Sequence, residues 1–193
     1  MTRALDALVA AADAALRDPA LLTERARCDA MRPAMEALLH DPDPIPAEAR
    51  LPWEGQAVGN LLHADPDGRF HVLAVVFPEG TSSGVHHHGC WGVIGYLQGG
   101  DEETRYHDDL TEASRHVWHQ GEVTYLLPDE GEGWHRVRNP GPGDGVSVHV
   151  LCMTPAAHPH RFYDRSTGAV VPFPFVEVAP GRFRAALRRE RTS

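Results

Sequence analysis

The sequence predicts a mainly β protein, an antiparallel sandwich or barrel preceded by helices. One observation is a change of hydrophobic period. Apolar residues recur at three- and four-residue steps over the first forty positions, and at two-residue steps from Gln56 onward. The other is the punctuation. The period-two segments are short, closely spaced and separated by "DPDG", "PEGTSSG", "PDEGEG" and "NPGPGDG", the glycine and proline clusters that turn antiparallel strands.

Leu5, Leu8, Val9, Ala12 and Leu16 form the stripe of a first amphipathic helix, which "RDPA" ends. Leu22, Ala26, Met31, Met35 and Leu38 mark a second, with Pro33 as a point of kink or division. "HDPDPIPAEARLPW" is a stiff, proline-rich link into the β region. The strand candidates are "RFHVLAVVF", "GVIGYLQG", "EETRYH", "RHVWHQG", "VTYLLP", "WHRVRN" and "GVSVHVLCM". The expected organisation is one domain over 1–193: a helical segment at 1–50 packed outside, a β-barrel at 51–180 and a tail at 181–193.

A net charge of −9 gives no electrostatic footing for nucleic acid. The basic residues are all arginine, which points to coding bias more than to mechanism. Three cysteines (Cys28, Cys90, Cys152) are no disulfide framework, and acids interrupt the apolar start of the chain as they would not in a signal peptide. No run is long enough to span a membrane. The expectation is a cytoplasmic protein without a nucleic-acid or membrane partner; the oligomeric state is left open.

"GTSSGVHHHGCWGVIGYLQG", Gly80 to Gly99, carries the chemistry. On a strand, His86 and His88 project to one face and His87 to the other, so two imidazoles can bind one metal ion. A third ligand has to come from another strand, and "GWHRVRN" offers His135. Solvated loop histidines are the plain alternative for an isolated H-x-H. Cys90, two residues past His88, reads either as a further ligand or as a small buried residue. Trp91 reads as core or as a pocket wall, and His87 as an outward, solvated side chain. His107, His116, His119, His158 and His160 read as surface or packing residues, and Asp129 to Glu132 as a solvated turn.

The spacing from Gly80 through His86 and His88 to Gly99 resembles the first cupin motif. Gly121, Pro128, Gly131, His135 and Asn139 resemble the second, with slightly different gaps. The resemblance implies a cupin fold, a double-stranded β-helix or jelly-roll-like barrel. Ordinary cupins add a glutamate ligand four or five residues after the second histidine, where this chain has Gly92 and Val93. Three neutral imidazoles leave a divalent ion its full charge, which favours an anionic ligand such as a thiolate.

The run "H-x-H-x-x-W-G-x-x-G" is similar to that of the bacterial thiol dioxygenases, the cysteine and 3-mercaptopropionate dioxygenases. "DPDGRFHVLAVVF", "GVSVHVLCMTP" and "RFYDRSTGAVVPF" sit in family-like order, and the likeness covers roughly 51–173. It implies Fe(II) on His86, His88 and His135, with a small thiol and dioxygen as partners and a sulfinate as product. Ser147 and His149 match two members of the family's Ser–His–Tyr relay, whose tyrosine position falls on Leu151. Gly92 stands where animal cysteine dioxygenases carry a cross-linking cysteine. The family's carboxylate-binding arginine belongs near Gly59, where there is none, and Arg161, Arg165 and Arg105 are the replacement candidates. A cupin oxygenase with a non-thiol substrate and a non-catalytic metal- or ligand-binding cupin are the rival readings.

Overall fold

Two amphipathic helices open the chain: α1 (Arg3–Arg17) and α2 (Glu24–Leu39). Each starts on a threonine whose side-chain oxygen accepts from a first-turn amide, Thr2 from Leu5 and Thr23 from Ala26. Helix α2 runs on through Pro33. The computed structural model describes residues 2–131, 133–153, 160–172 and 175–185.

Strands follow in two antiparallel sheets. The larger is built from β1 (Val58–Ala64), β2 (His71–Phe77), β4 (Gly92–Gln98), β7 (Val123–Leu126), β9 (Gly145–Leu151), β12 (Phe175–Ala179) and β13 (Arg182–Ala185), in the order β12-β13-β1-β2-β9-β4-β7. The smaller holds β3 (Ser82–His87), β5 (Gly100–Tyr106), β6 (Glu112–His119), β8 (Trp134–Arg138), β10 (Arg161–Asp164) and β11 (Ala169–Pro172), in the order β11-β10-β3-β8-β5-β6. Every candidate strand read from the sequence is present. β1 and β10 to β13 are additions, and β13 continues the sheet into the stretch read as tail; residues 186–193 lie outside the described ones.

The larger sheet is covered on both faces, which is why β2 and β9 read as nearly unbroken apolar runs. Val72, Ala74 and Val76 of β2 and Val146, Val148 and Val150 of β9 join Leu5, Leu8, Met31, Met35 and Leu38 in one core beneath the helices. Alternate residues point the other way, so Leu73 packs with Ile94, Tyr96 and Leu151 between the sheets. Gly95 is part of the helix docking. A Cβ there would lie 2.6 Å from Met35 Sδ, so the missing side chain lets α2 settle on β4. Trp91 belongs to the helix-side core and the expected outside packing of the helices is found.

Candidate metal centre

β3 pairs with β8 so that His86 stands directly opposite His135. The strand ends at His87, yet the chain stays extended enough for His88 to fall on the same side as His86. His86 Nε2 and His88 Nε2 are 3.1 Å apart, and His88 Nε2 lies 3.1 Å from His135 Nε2. All three residues are buried, and together they could hold a metal ion.

The other ring nitrogens show which way the rings are committed. His135 Nδ1–H donates to Glu103 Oε1 at 2.8 Å, His86 Nδ1 lies 3.2 Å from the Gly84 carbonyl, and His88 Nδ1 lies 3.2 Å from His160 Nε2. With protons on the outer nitrogens, three Nε2 lone pairs converge with no proton between them. That arrangement is repulsive unless a cation sits at the focus, so the residues fit a metal ion. Burial, followed by the neighbouring imidazoles, also drives His86 and His88 well below the ordinary histidine pKa and keeps them neutral.

Glu103 was not singled out by sequence reading. It is diagonal to His135 across β5 and β8, the register pairing Arg105 with His135 and Glu103 with Val137. Its buried carboxylate accepts from His135, from Trp118 Nε1 at 2.8 Å and from Arg105 Nη2 at 3.2 Å. Burial pushes its pKa up, but the hydrogen bond and charge of His135, with Arg105 and Trp118, outweigh that and hold it at about 2. Asp101, two residues earlier, has a buried Oδ1 with no partner among the described residues, and burial and then Glu103 raise it to about 7. The carboxylate charge behind His135 therefore comes from Glu103.

The cluster opens on a cavity of about 320 Å³ between the sheets, within the range of small-molecule sites. Leu73, Val75, Phe77, Val137, Leu151 and Phe183 make its walls largely apolar. His149 also lines it. Its Nε2 is 2.9 Å from Ser147 Oγ, while its buried Nδ1 has no hydrogen-bond partner among the described residues. Burial, then His135 and His71, lowers its pKa to about 3, so the ring is neutral. Ser147 and His149 are thus brought together as their strand face requires. Leu151 lies beside them on β9, paired with both Gly92 and His71.

One sequence expectation changes, and the open reading of Cys90 resolves to the small buried residue. His87 is not solvated: it is 7% exposed, its Nδ1 accepts from the Gly89 amide, and its ring meets Trp134 edge-on. Gly133 makes room for it, since a Cβ there would overlap the His87 ring. The outward face of β3 is itself covered, so alternation did not imply exposure. Cys90 falls outside the metal-capable group of described residues; it is packed with Leu73, Ile94 and Leu126, and burial pushes its thiol up to about 12. His160 is a packing residue as expected, but the residue it packs on is His88. His158 and Glu132 lie outside the described residues.

None of the three candidate arginines lines the cavity. Arg105 is bound to Glu103, Thr124 Oγ1 and the Tyr125 carbonyl. Arg161 lies over Trp134, 5.3 Å from the ring centre, and Arg165 donates to the Tyr106 hydroxyl. The arginine that does line it is Arg184 on β13. The alternation in "GRFRA" was the available signal for that strand.

Strand order, the two facing sheets and the histidines between them define the class: a double-stranded β-helix of the cupin type with a three-histidine cluster. No family model matches the chain. Solved structures with a similar fold include a cupin 2 conserved barrel domain protein from Salinispora arenicola, 23% identical over 56% of this chain and 85% of that one, with a TM-score of 0.43. Another, from Rhodopseudomonas palustris, is 17% identical over 60% and 74%, with a TM-score of 0.45. A cupin superfamily protein from Desulfitobacterium hafniense is 13% identical over 59% and 94%, with a TM-score of 0.44. Likenesses at this level carry no argument about activity. Among the described residues, no helix is long and apolar enough to cross a membrane.

Proposed function

We propose that this chain is a mononuclear Fe(II) thiol dioxygenase, joining both atoms of dioxygen to the sulfur of a small thiol. The observation that carries the reading is a cluster of three buried imidazoles, with no carboxylate ligand among the described residues, facing a largely apolar cavity. His86, His88 and His135 are the proposed ligands. When bound, the ion supplies a positive centre that favours a thiolate over a thiol and brings sulfur and dioxygen together. The reaction balances without another reductant: sulfur gives up the four electrons that dioxygen takes, and the thiol proton is released with the sulfinate.

The chain's own residues set the surroundings. Glu103 holds His135 in the tautomer that leaves Nε2 free to ligate. In the proposed arrangement the Ser147 hydroxyl donates to His149 Nε2, so His149 Nδ1–H faces the cavity as a donor to substrate or oxygen. Leu151 replaces a polar group with an apolar wall, and the other walls exclude water.

The test is anaerobic iron loading followed by oxygen uptake on a panel of thiols. The expected result is one dioxygen consumed per thiol and a product heavier by two oxygen atoms. Uptake with no thiol in the panel, but with a carbon substrate, would favour another cupin oxygenase. No uptake with either would leave a binding protein.

A further inference from the structure

We infer that Gly59 sets the substrate class: an uncharged thiol with an aryl-sized apolar body, seated where this residue leaves the cavity wall open. The inference rests on the proposed function for the sulfur that meets the metal, and on the cavity for the rest of the molecule.

Gly59 lies on the inner face of β1, in one row with Phe183 of β13, Val75 of β2 and Ser147 of β9. Its φ is not left-handed, so the backbone does not call for glycine. Packing does not call for it either. A Cβ there would meet Leu73 Cδ1 at 3.6 Å and the Phe183 carbonyl oxygen at 3.8 Å, both ordinary contacts. Gly92 on β4 is the contrast, since a Cβ there would overlap Leu151, 2.6 Å from its Cδ2. A glycine inside a strand weakens it and often marks a place where a ligand comes close. At Gly59 the missing side chain is cavity volume, bounded by Leu73, Val75 and Phe183.

The size and chemistry of the walls give the class of ligand. A dry apolar cavity of ~150 Å³ takes a benzene molecule. This one, at about 320 Å³, has room for a thiolate and a phenyl ring joined by a short alkyl chain. Phe77, Phe175 and Phe183 are among its lining residues, and among the described residues the lining has no carboxylate to pair an ammonium. Its one arginine, Arg184, follows Phe183 on β13 and so belongs to the other face of that strand, beside Val58, where its Nη2 donates to Gln56 Oε1. The hydroxyls of Ser82 and Ser83 are spent on the carbonyls of Val137 and Gly84. A charged group on the substrate would be buried against these walls without a partner, which costs affinity, whereas an aryl or alkyl body gains affinity by leaving water.

The test reads binding, not turnover. Anaerobic Co(II)-loaded protein is titrated with alkanethiols from ethanethiol to hexanethiol, with phenylethanethiol, and with cysteine and 3-mercaptopropionate, and the thiolate-to-cobalt absorption is followed. The wild type is expected to bind about three- to fourfold tighter for each added methylene, and phenylethanethiol about tenfold or more tighter than either acid. Gly59→Leu should weaken phenylethanethiol and hexanethiol about tenfold or more and leave ethanethiol unchanged. Gly59→Ala should fall between the two proteins, and it decides the matter if the leucine variant does not fold. An acid that binds as tightly as phenylethanethiol overturns the inference, and so does a substituted protein whose thiol profile matches the wild type. If no thiol perturbs the cobalt spectrum, the thiol reading fails instead. The role of Gly59 is then decided by calorimetry with phenylethanol, which keeps the same body without sulfur. Binding by the wild type that Gly59→Leu abolishes supports it there; equal binding by the two proteins, or none by the wild type, overturns it.

Discussion

Glu103→Gln is the sharpest probe of how this barrel would hold a metal. The substitution keeps the shape of the side chain but removes its charge and half its accepting capacity. Three donors converge on the carboxylate: His135 Nδ1 at 2.8 Å, Trp118 Nε1 at 2.8 Å and Arg105 Nη2 at 3.2 Å. The amide of glutamine has one accepting oxygen, and its NH₂ group must face at least one of those donors. Each net hydrogen bond to a charged group contributes about 1.5–3 kcal/mol, and Glu103 is fully buried, so water does not make up the loss. If the imidazole of His135 is released from its tautomer, affinity for a divalent ion should fall about 10–100-fold, the usual effect of losing a ligand's outer partner. Zinc and anaerobic Fe(II) titrations against a competing chelator measure this directly, with circular dichroism as the control for folding. Trp118→Phe removes one donor but leaves the His135 contact, and should cost less. A folded Glu103→Gln protein with wild-type metal affinity would falsify the role given to this carboxylate.

His86→Ala and His135→Ala should each lose iron on metal analysis, and full occupancy in either would remove that residue from the ligand set. His149→Ala should keep its iron while activity drops ~10–100-fold; loss of the metal would make His149 a ligand instead. Intact mass under denaturing conditions should match the unmodified chain, because Gly92 and Leu151 are paired at the positions where a cysteine–tyrosine link would form. A deficit of two hydrogens on a joined Cys–Tyr peptide would refute that. Burial lowers His71 to about 4 and His149 to about 3, below the ordinary 6.5, so below pH 6.5 the unfolded chain takes up protons that the folded one refuses. Stability of the metal-free protein should therefore fall as pH falls, by about 3 kcal/mol between pH 6.5 and 5 for the two groups together, at 1.36 kcal/mol per unit and with the unfolded histidines half protonated at pH 6.5. Denaturant unfolding that gives equal stability at both pH values contradicts it.

Features that depend on short spacing could be read along the chain. The two-residue period of "HVLAVVF" and "GVSVHVL" is local backbone geometry, so these two strands, the shared face of His86 and His88, and that of Ser147 and His149 were legible. Which faces are covered, and what lies across from each residue, emerged with the assembled sheets. His87 looked solvated by alternation, but Trp134 and the tight approach of Gly133 bury it. Glu103 sits in the strand candidate "EETRYH", whose polar residues give no sign of which one is buried. It becomes the partner of His135 because β5 is seated between β6 and β8. His160 meets His88 across 72 residues, and Arg184 reaches the cavity because β13 adds to the edge of β1. Period is set by neighbouring dihedrals and can be read along the chain. Register is set by packing between segments far apart in sequence, and so appears only in the assembled fold.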